Sequence, residues 1–344
     1  MSKFKNFIAL EIDDLAIRLV QMKKGRRTIE LTSYNSISLP KGSVLNGIIE
    51  RADQVQSCIK RAIQTAKGKR IRSQYVSLAI PEPHVFMSVI SVDKKDENNA
   101  DLIQMEALQN IPFNIEDILF DWEIINSNKN KTQISVGAIP KNIIEDYTKI
   151  IKSMDLIPIS LEPESYALVR GIISPDFQHK TMLIIDFGAS ITTVLIVNNG
   201  TIFFTSSSSD FSGNTLTQHI ADHLHLTPGQ AEKAKCLFGL LPKQGKGEIR
   251  RTLLPRFNSL IQRIGVVEQF AINHLPVPLQ RFTGILITGG GSTLPGLADT
   301  LAEELRVPVY QPLPLSINNI KNTLEIDDDM QRSLTTTLGL ALRQ

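Results

Sequence analysis

MLIIDFGASITTVLIV, residues 182–197, decides the fold. An apolar strand runs into Asp186, turns through Gly188 and Ser190, and returns as a second apolar strand. At the strand end, the Asp186 carboxylate can reach a metal-bound water. Gly188 permits backbone conformations that side chains obstruct. Successive N–H groups in such a turn, with the Ser190 and Thr192 hydroxyls, can hold phosphate oxygens. Alone, the same letters also describe an ordinary hairpin turn. The pattern occurs twice, however. FIALEIDDLAIRLVQM at 7–22 aligns with it when Glu11 is placed on Asp186, an offset of 175 in a chain of 344 residues. Two similar halves flanking a cleft follow from that repeat.

Composition sets the bounds. The length suggests about two domains. Hydrophobic residues make up 42% and charged residues 21%, ordinary for a folded globular protein. A net charge of +2 gives no overall nucleic-acid footprint. Two distant cysteines, Cys58 and Cys236, fit a reducing, cytoplasmic compartment better than a disulfide framework. No apolar run approaches the ~20 residues of a membrane span, and Glu11, Asp13 and Asp14 break the apolar N-terminus that a signal peptide would need.

Three further constellations point to a nucleotide. TGGGSTLPGL at 288–297 runs a strand through Gly289, Gly290 and Gly291 past Ser292 into a helix, so a planar ligand can lie against bare backbone. A tight strand–helix turn needs one glycine, rarely three. Glu232 and Lys235 share a helix face and can hydrogen-bond a ribose or base, or form a solvated ion pair. Glu162, followed by Pro163 at a helix start, can sit in a cleft and orient a water, or stay solvated beside the proline. Elsewhere, strands and helices over 77–156 read as a small α+β insertion, and Phe120 and Trp122, two apart on a strand, read as core. The basic stretch 60–72 lacks interleaved aromatics and reads as a solvated helix end, with acidic lipid headgroups as a minor alternative.

In this order the four constellations resemble the actin–heat-shock-ATPase superfamily. The resemblance implies an α/β, two-lobed actin-like (ribonuclease-H-like) ATPase fold with a small α+β insertion subdomain. The first lobe would comprise 1–178 with 325–344, including the insertion at 77–157. The second would comprise 179–324, including a helical subdomain at 213–282. EALQNIPF at 106–113 and PKNIIEDY at 140–147 narrow the resemblance to the PilM family of type IV pilus and competence machinery, related to the division protein FtsA.

The resemblance implies ATP or ADP with Mg in the cleft. Glu162, Asp186 and Glu11 would be the catalytic acids, with Asp186 and Glu11 holding the metal through water. Gly188, Ser190, Thr192, Glu232, Lys235, Gly289, Gly290, Gly291 and Ser292 would bind nucleotide. It also implies a scaffold at the cytoplasmic face of the inner membrane. Its partner would be the cytoplasmic tail of a PilN-like protein, held by the helix near 101–111, the segment 111–113 and nearby first-lobe surface. A pilus assembly ATPase or platform protein, and self-association, are further partners to consider.

One departure bears on activity. The family's first hairpin has glycine and serine where this chain has Asp13 and Asp14. Each pair of unit charges ~4 Å apart costs about 4 kcal/mol at an effective dielectric of 20. Nucleotide binding with little or no hydrolysis is therefore expected, an active ATPase and a nucleotide-free adaptor being the alternatives. The chain end TTLGLALRQ lacks the basic amphipathic extension of FtsA-like chains, which argues against an FtsA-like filament former.

Overall fold

A computed structural model describes residues 6–25, 28–109, 111, 114–274 and 282–343. The repeat seen in the sequence is realised as two sheets of the same order. In the first lobe, Ile8–Ile12 lies antiparallel to Ala16–Lys24, which lies antiparallel to Ile29–Ser38. On its other side Ile8–Ile12 runs parallel to Tyr75–Ile80, which runs parallel to Ile157–Pro163. The second lobe repeats this with Thr181–Phe187 at the centre. Thr192–Asn198 and Thr201–Ser208 lie antiparallel on one side, and Gly284–Thr288 and Val309–Tyr310 parallel on the other. Glu11 faces Arg18 and Asp186 faces Thr193 across their hairpins. One offset of 175 therefore maps both strands of one hairpin onto the other.

Parallel neighbours need crossovers, and the helices supply them. Ala52–Gln64 and Lys141–Lys152 cover one face of the first sheet, burying Val55, Ile59, Ile143, Tyr147, Ile150 and Ile151 against Ile8, Leu10 and Ile12. Strand alternation sends Phe7, Ala9 and Glu11 to the opposite face. There Thr335–Ala341 packs, with Leu334, Leu338, Leu340 and Ala341 in the same core as Phe7 and Ala9. Glu164–Ile172 packs Leu168, Val169 and Ile172 against Met182 and Ile184, on the face of the second sheet that also carries Asp186. These two helices cross between the lobes.

The crossing is at backbone distance. A Cβ on Gly339 would lie 1.8 Å from the Ala167 carbonyl oxygen, and one on Gly171 would lie 2.8 Å from that of Thr335. Arg170 Nη1 also donates to the Gly339 carbonyl at 3.0 Å.

The insertion is smaller than the sequence suggests. Its sheet has the order Phe86–Asp93, Lys131–Pro140, Ile118–Ser127. Ala100–Leu108 covers one face through Ile103 and Ala107. Residues 77–80 of the strand Tyr75–Ile80, and Lys141–Lys152, fall within the range read as the insertion, yet they pair and pack in the first lobe proper. The return to the first lobe likewise begins before 325, because Leu315 and Ile320 already join its core. Phe120 packs half-buried against the insertion's core, whereas Trp122 is not a core residue. The two rings stack at 5.7 Å on an edge strand, and Trp122 is 37% exposed. Within the stretch TTLGLALRQ, residues 336–341 belong to the buried crossing helix, and Gln344 lies outside the described residues. Among the described residues no helix is long and apolar enough to cross a membrane.

Gly339→Ala is expected to lower stability by about 3 kcal/mol, the upper part of the range for overpacking a closed contact. Urea unfolding followed by far-ultraviolet circular dichroism reads this. A loss below about 0.5 kcal/mol would mean that the crossing relaxes without strain.

Candidate functional site

Both hairpins end at one cleft between the lobes, a cavity of about 590 Å³. Strand alternation places Glu11 and Asp186 on the two facing sheet surfaces, so each carboxylate reaches the cleft at its strand end. Asp13, Asp14, Arg18, Gly188, Glu232 and Lys235 also line it, as do Gly289, Gly290 and Gly291.

The first hairpin carries an ion cluster. Arg18 Nη1 donates to Glu11 Oε1 at 2.8 Å and to Asp13 Oδ2 at 2.9 Å. Burial pushes the Glu11 carboxyl up to about 7; Arg18 opposes the rise, while Asp13 and Asp186 add to it. Asp186 is pushed up to about 6 by burial, again against the pull of Arg18. Glu11 Oε2 is buried and has no hydrogen-bond partner among the described residues. Asp14 is engaged elsewhere. Its two oxygens accept the N–H groups of Asn46 at 3.0 Å and Gly47 at 2.9 Å. The double repulsion expected from Asp13 and Asp14 is therefore largely relieved, one acid being paired with Arg18 and the other pinning a neighbouring turn.

The second hairpin meets the helix Gly213–Leu224, whose Gly213 and Asn214 N–H groups donate to the Gly188 and Ala189 carbonyls. Helix Pro228–Phe238 supplies Lys235. Lys235 Nζ donates to Gly213 O at 2.9 Å, Thr217 Oγ1 at 2.8 Å and Glu232 Oε2 at 2.8 Å. Burial opposes ionisation of Glu232, but its bonds with Lys235 and Thr217 outweigh that and hold it below the usual carboxylate range.

The glycine turn shows why it needs its composition. A Cβ on Gly291 would lie 2.0 Å from the buried Phe187 ring. At Gly290 a Cβ would meet nothing within 4 Å. Gly290 thus presents bare backbone to the cavity.

Four expected site residues fall elsewhere. Glu162 does not line the cleft; it is buried, with Oε1 2.7 Å from Arg170 and Oε2 2.9 Å from Arg343. The acid that does line it is Glu164, two residues on, at the helix start. Burial raises its carboxyl well above the usual range, and Glu11 and Asp13 raise it further. The Thr192 hydroxyl is buried and donates to Phe211 O at 2.5 Å, leaving Thr193 to face the cavity. Ser190 lies outside the lining and accepts from Asn214 Nδ2 at 3.4 Å. Ser292 is buried and closes its own turn by donating to Gly289 O at 2.7 Å. Sequence reading also passes over Arg332, Thr335 and Thr336, which line the cleft from the chain's return to the first lobe. They carry no motif, and only the long-range fold brings them there.

Two lobes of repeated order around this cleft define the actin-like ATPase fold. Among solved structures, MreB5 of Spiroplasma citri bound to ADP shares it with a TM-score of 0.61 and 14% identity, covering 98% of this chain and 96% of that one. A PilM–PilN type IV pilus biogenesis complex matches with a TM-score of 0.77 and 23% identity over 99% of both chains. The cell division protein FtsA of Enterococcus hirae is 22% identical over 374 aligned positions, spanning 95% of this chain and 84% of the relative. The family model for type IV pilus assembly protein PilM matches residues 9–344. The chain belongs to that family.

The raised acids fix a pH dependence. Glu11 rises from 4.5 in an ordinary setting to about 7 in the fold, and Asp186 from 3.8 to about 6. The folded state therefore holds these protons more tightly than the unfolded chain. Their contribution is fully present below the ordinary values and is lost as pH rises through about 7 and about 6. The melting temperature of the ligand-free protein is expected to fall relative to Glu11→Gln as pH rises from about 5 to about 8. Parallel melting curves for the two proteins over that range would remove Glu11 as the titrating group.

Proposed function

We propose that this protein is a nucleotide-binding scaffold of a type IV pilus assembly platform at the cytoplasmic face of the inner membrane. It binds ATP or ADP with Mg in the interlobe cleft and the cytoplasmic tail of a PilN-like protein in a groove beside the insertion. The observation that carries the nucleotide half is the cleft itself: a cavity of about 590 Å³ in which both hairpin turns, the Glu232–Lys235 pair and the open backbone of Gly290 converge. The Gly188 turn would take phosphates, Glu232 and Lys235 the ribose or base, and Gly289–Gly291 the base plane. No three or more His, Cys, Asp or Glu side chains among the described residues are arranged to hold a metal. Glu11, with its unpartnered buried Oε2, and Asp186 would therefore hold Mg through water and the nucleotide phosphates. Mg would neutralise phosphate charge beside these acids.

Binding without efficient hydrolysis is the reading favoured. A general base must be ionised at working pH. Burial and its acidic neighbours oppose ionisation of Glu164, and Glu162 is spent on two arginines.

The partner half rests on the family and on surface chemistry. In Ala100–Leu108, Ile103 and Ala107 are buried while Met105 is 57% exposed. The turn at Asn46–Gly47 adds exposed Leu45 and Ile48 on the first lobe. Pro112 and Phe113, expected in the groove, lie outside the described residues. Asp14 links the two sites: it stands in the phosphate-side turn and holds the backbone between Leu45 and Ile48. Tyr147 Oη donates to the Gly47 carbonyl at 2.9 Å, fixing the same turn from beneath. A ligand shifts a conformational equilibrium only through different affinities for its states, and Asp14 is where nucleotide and tail would act on one turn.

Titration calorimetry of ATP and ADP with Mg, with and without a PilN-like tail peptide, tests this. Nucleotide heats are expected. Gly290→Phe, which adds a side chain into open cavity, should weaken them at least about tenfold, ~1.4 kcal/mol, without lowering the melting temperature. Met105→Lys should weaken the peptide by about 1–2 kcal/mol and leave nucleotide unchanged. Asp14→Ala should bring the peptide affinities measured with and without nucleotide together. No heat with either nucleotide, with or without peptide, would leave a nucleotide-free adaptor.

A further inference from the structure

We infer that the end of the first lobe remote from the cleft is a docking face for an anionic phospholipid bilayer, independent of what the cleft holds. The concavity at this end, about 480 Å³, has a one-sided lining. Among the described residues it gathers four cations, Lys23, Lys69, Arg70 and Arg72, and no carboxylate. All four are exposed. Lys69 pairs with Glu30 at 2.9 Å and Lys23 stands opposite the same Glu30 across the strands, whereas Arg70 and Arg72 are in no ion pair among the described residues. In a chain whose net charge is only +2, this is segregated charge.

The basic strip is held in place rather than loose. Lys67–Gly68 pairs as a short strand with Ser33 and Tyr34. Lys69 N–H donates to Thr32 O at 2.8 Å, and Ser33 Oγ donates to Lys69 O at 2.5 Å. Ser73 Oγ donates to Asn6 O at 2.9 Å, tying the strip to the start of the central strand. Cations held on a fixed backbone lose less conformational entropy on binding than cations on a free tail.

Position separates this face from the cleft. It surrounds Asn6 and the Gln21–Lys23 end of the first hairpin, whereas Glu11, Asp13 and Arg18 lie at the other end of the same strands. Five residues of strand span roughly 16 Å. A bilayer against the basic end leaves the cleft clear.

The chemistry selects headgroups over a nucleic acid. Bases need exposed aromatic platforms, and the sole aromatic in the described lining is half-buried Tyr75. Each basic residue held at an anionic surface strengthens partitioning by about fivefold.

Flotation of the full chain with vesicles of equal parts phosphatidylglycerol and phosphatidylcholine tests the inference. Expected are binding at low salt, none to phosphatidylcholine alone, and loss at about 0.5 M salt, where screening shortens to a few Å. R70A/R72A should reduce binding about 25-fold, with unchanged melting temperature and unchanged nucleotide heats. If that variant misfolds, Lys23→Glu provides the same reading from the neighbouring strand. Equal binding to both vesicle types would overturn the inference, as would wild-type affinity in a folded R70A/R72A. So would a single-stranded oligonucleotide or soluble glycerophosphoglycerol that competes at concentrations equivalent to the accessible lipid.

Discussion

Burying several carboxylates where two lobes meet would drive the lobes apart unless a cation sat among them, and Arg18 is that cation. It bonds Glu11 and Asp13 directly and lowers the cost of ionising Asp186 across the cleft. Removing one partner of a buried charge network costs about 3–5 kcal/mol, because it strands the charges left behind. The fold puts this arginine opposite Glu11 in the hairpin register, where the second lobe has the neutral Thr193 opposite Asp186. One duplicated hairpin therefore supplies charge compensation for both. The acids remain raised even so, which leaves the cleft receptive to an added cation.

The architecture was largely legible from the repeat. Alternation along FIALEI and MLIIDF sends Glu11 and Asp186 to the inner faces, and the same offset aligns the returning strands. Gly289–Gly291 was legible because three glycines exceed what a turn requires. Errors arose where one residue's identity was judged without its long-range neighbour. Glu162 and Glu164 flank Pro163; no local rule shows that Arg170 and Arg343 capture the first and leave the second for the cleft. Thr192, Ser190 and Ser292 have the right chemistry for phosphate, but nearby groups engage their hydroxyls. Asp14 looked repulsive because its partners, Asn46 and Gly47, lie thirty-odd positions away.

The insertion shows a different limit. Its strands and helix are readable from periodicity, but the division between insertion and lobe is not. Lys141–Lys152 has the apolar stripe of any amphipathic helix, and only the sheet it covers decides its membership. Phe120 and Trp122 sit on one face of their strand as expected. Phe120 packs half-buried against the insertion's core, while Trp122, further along the edge strand, is exposed.

The core beneath the inner face of the first sheet joins Phe7, Ala9 and Val20 to Leu315, Leu334, Leu338 and Leu340. During synthesis those early strands emerge long before their covering helix exists. The whole second lobe is made in between, and its own core needs nothing from the later segment. The lobes therefore finish in the reverse of their order in the chain. The first sheet waits with one apolar face uncovered until residues 335–341 leave the ribosome, a window in which a chaperone or a neighbouring nascent chain competes for that face.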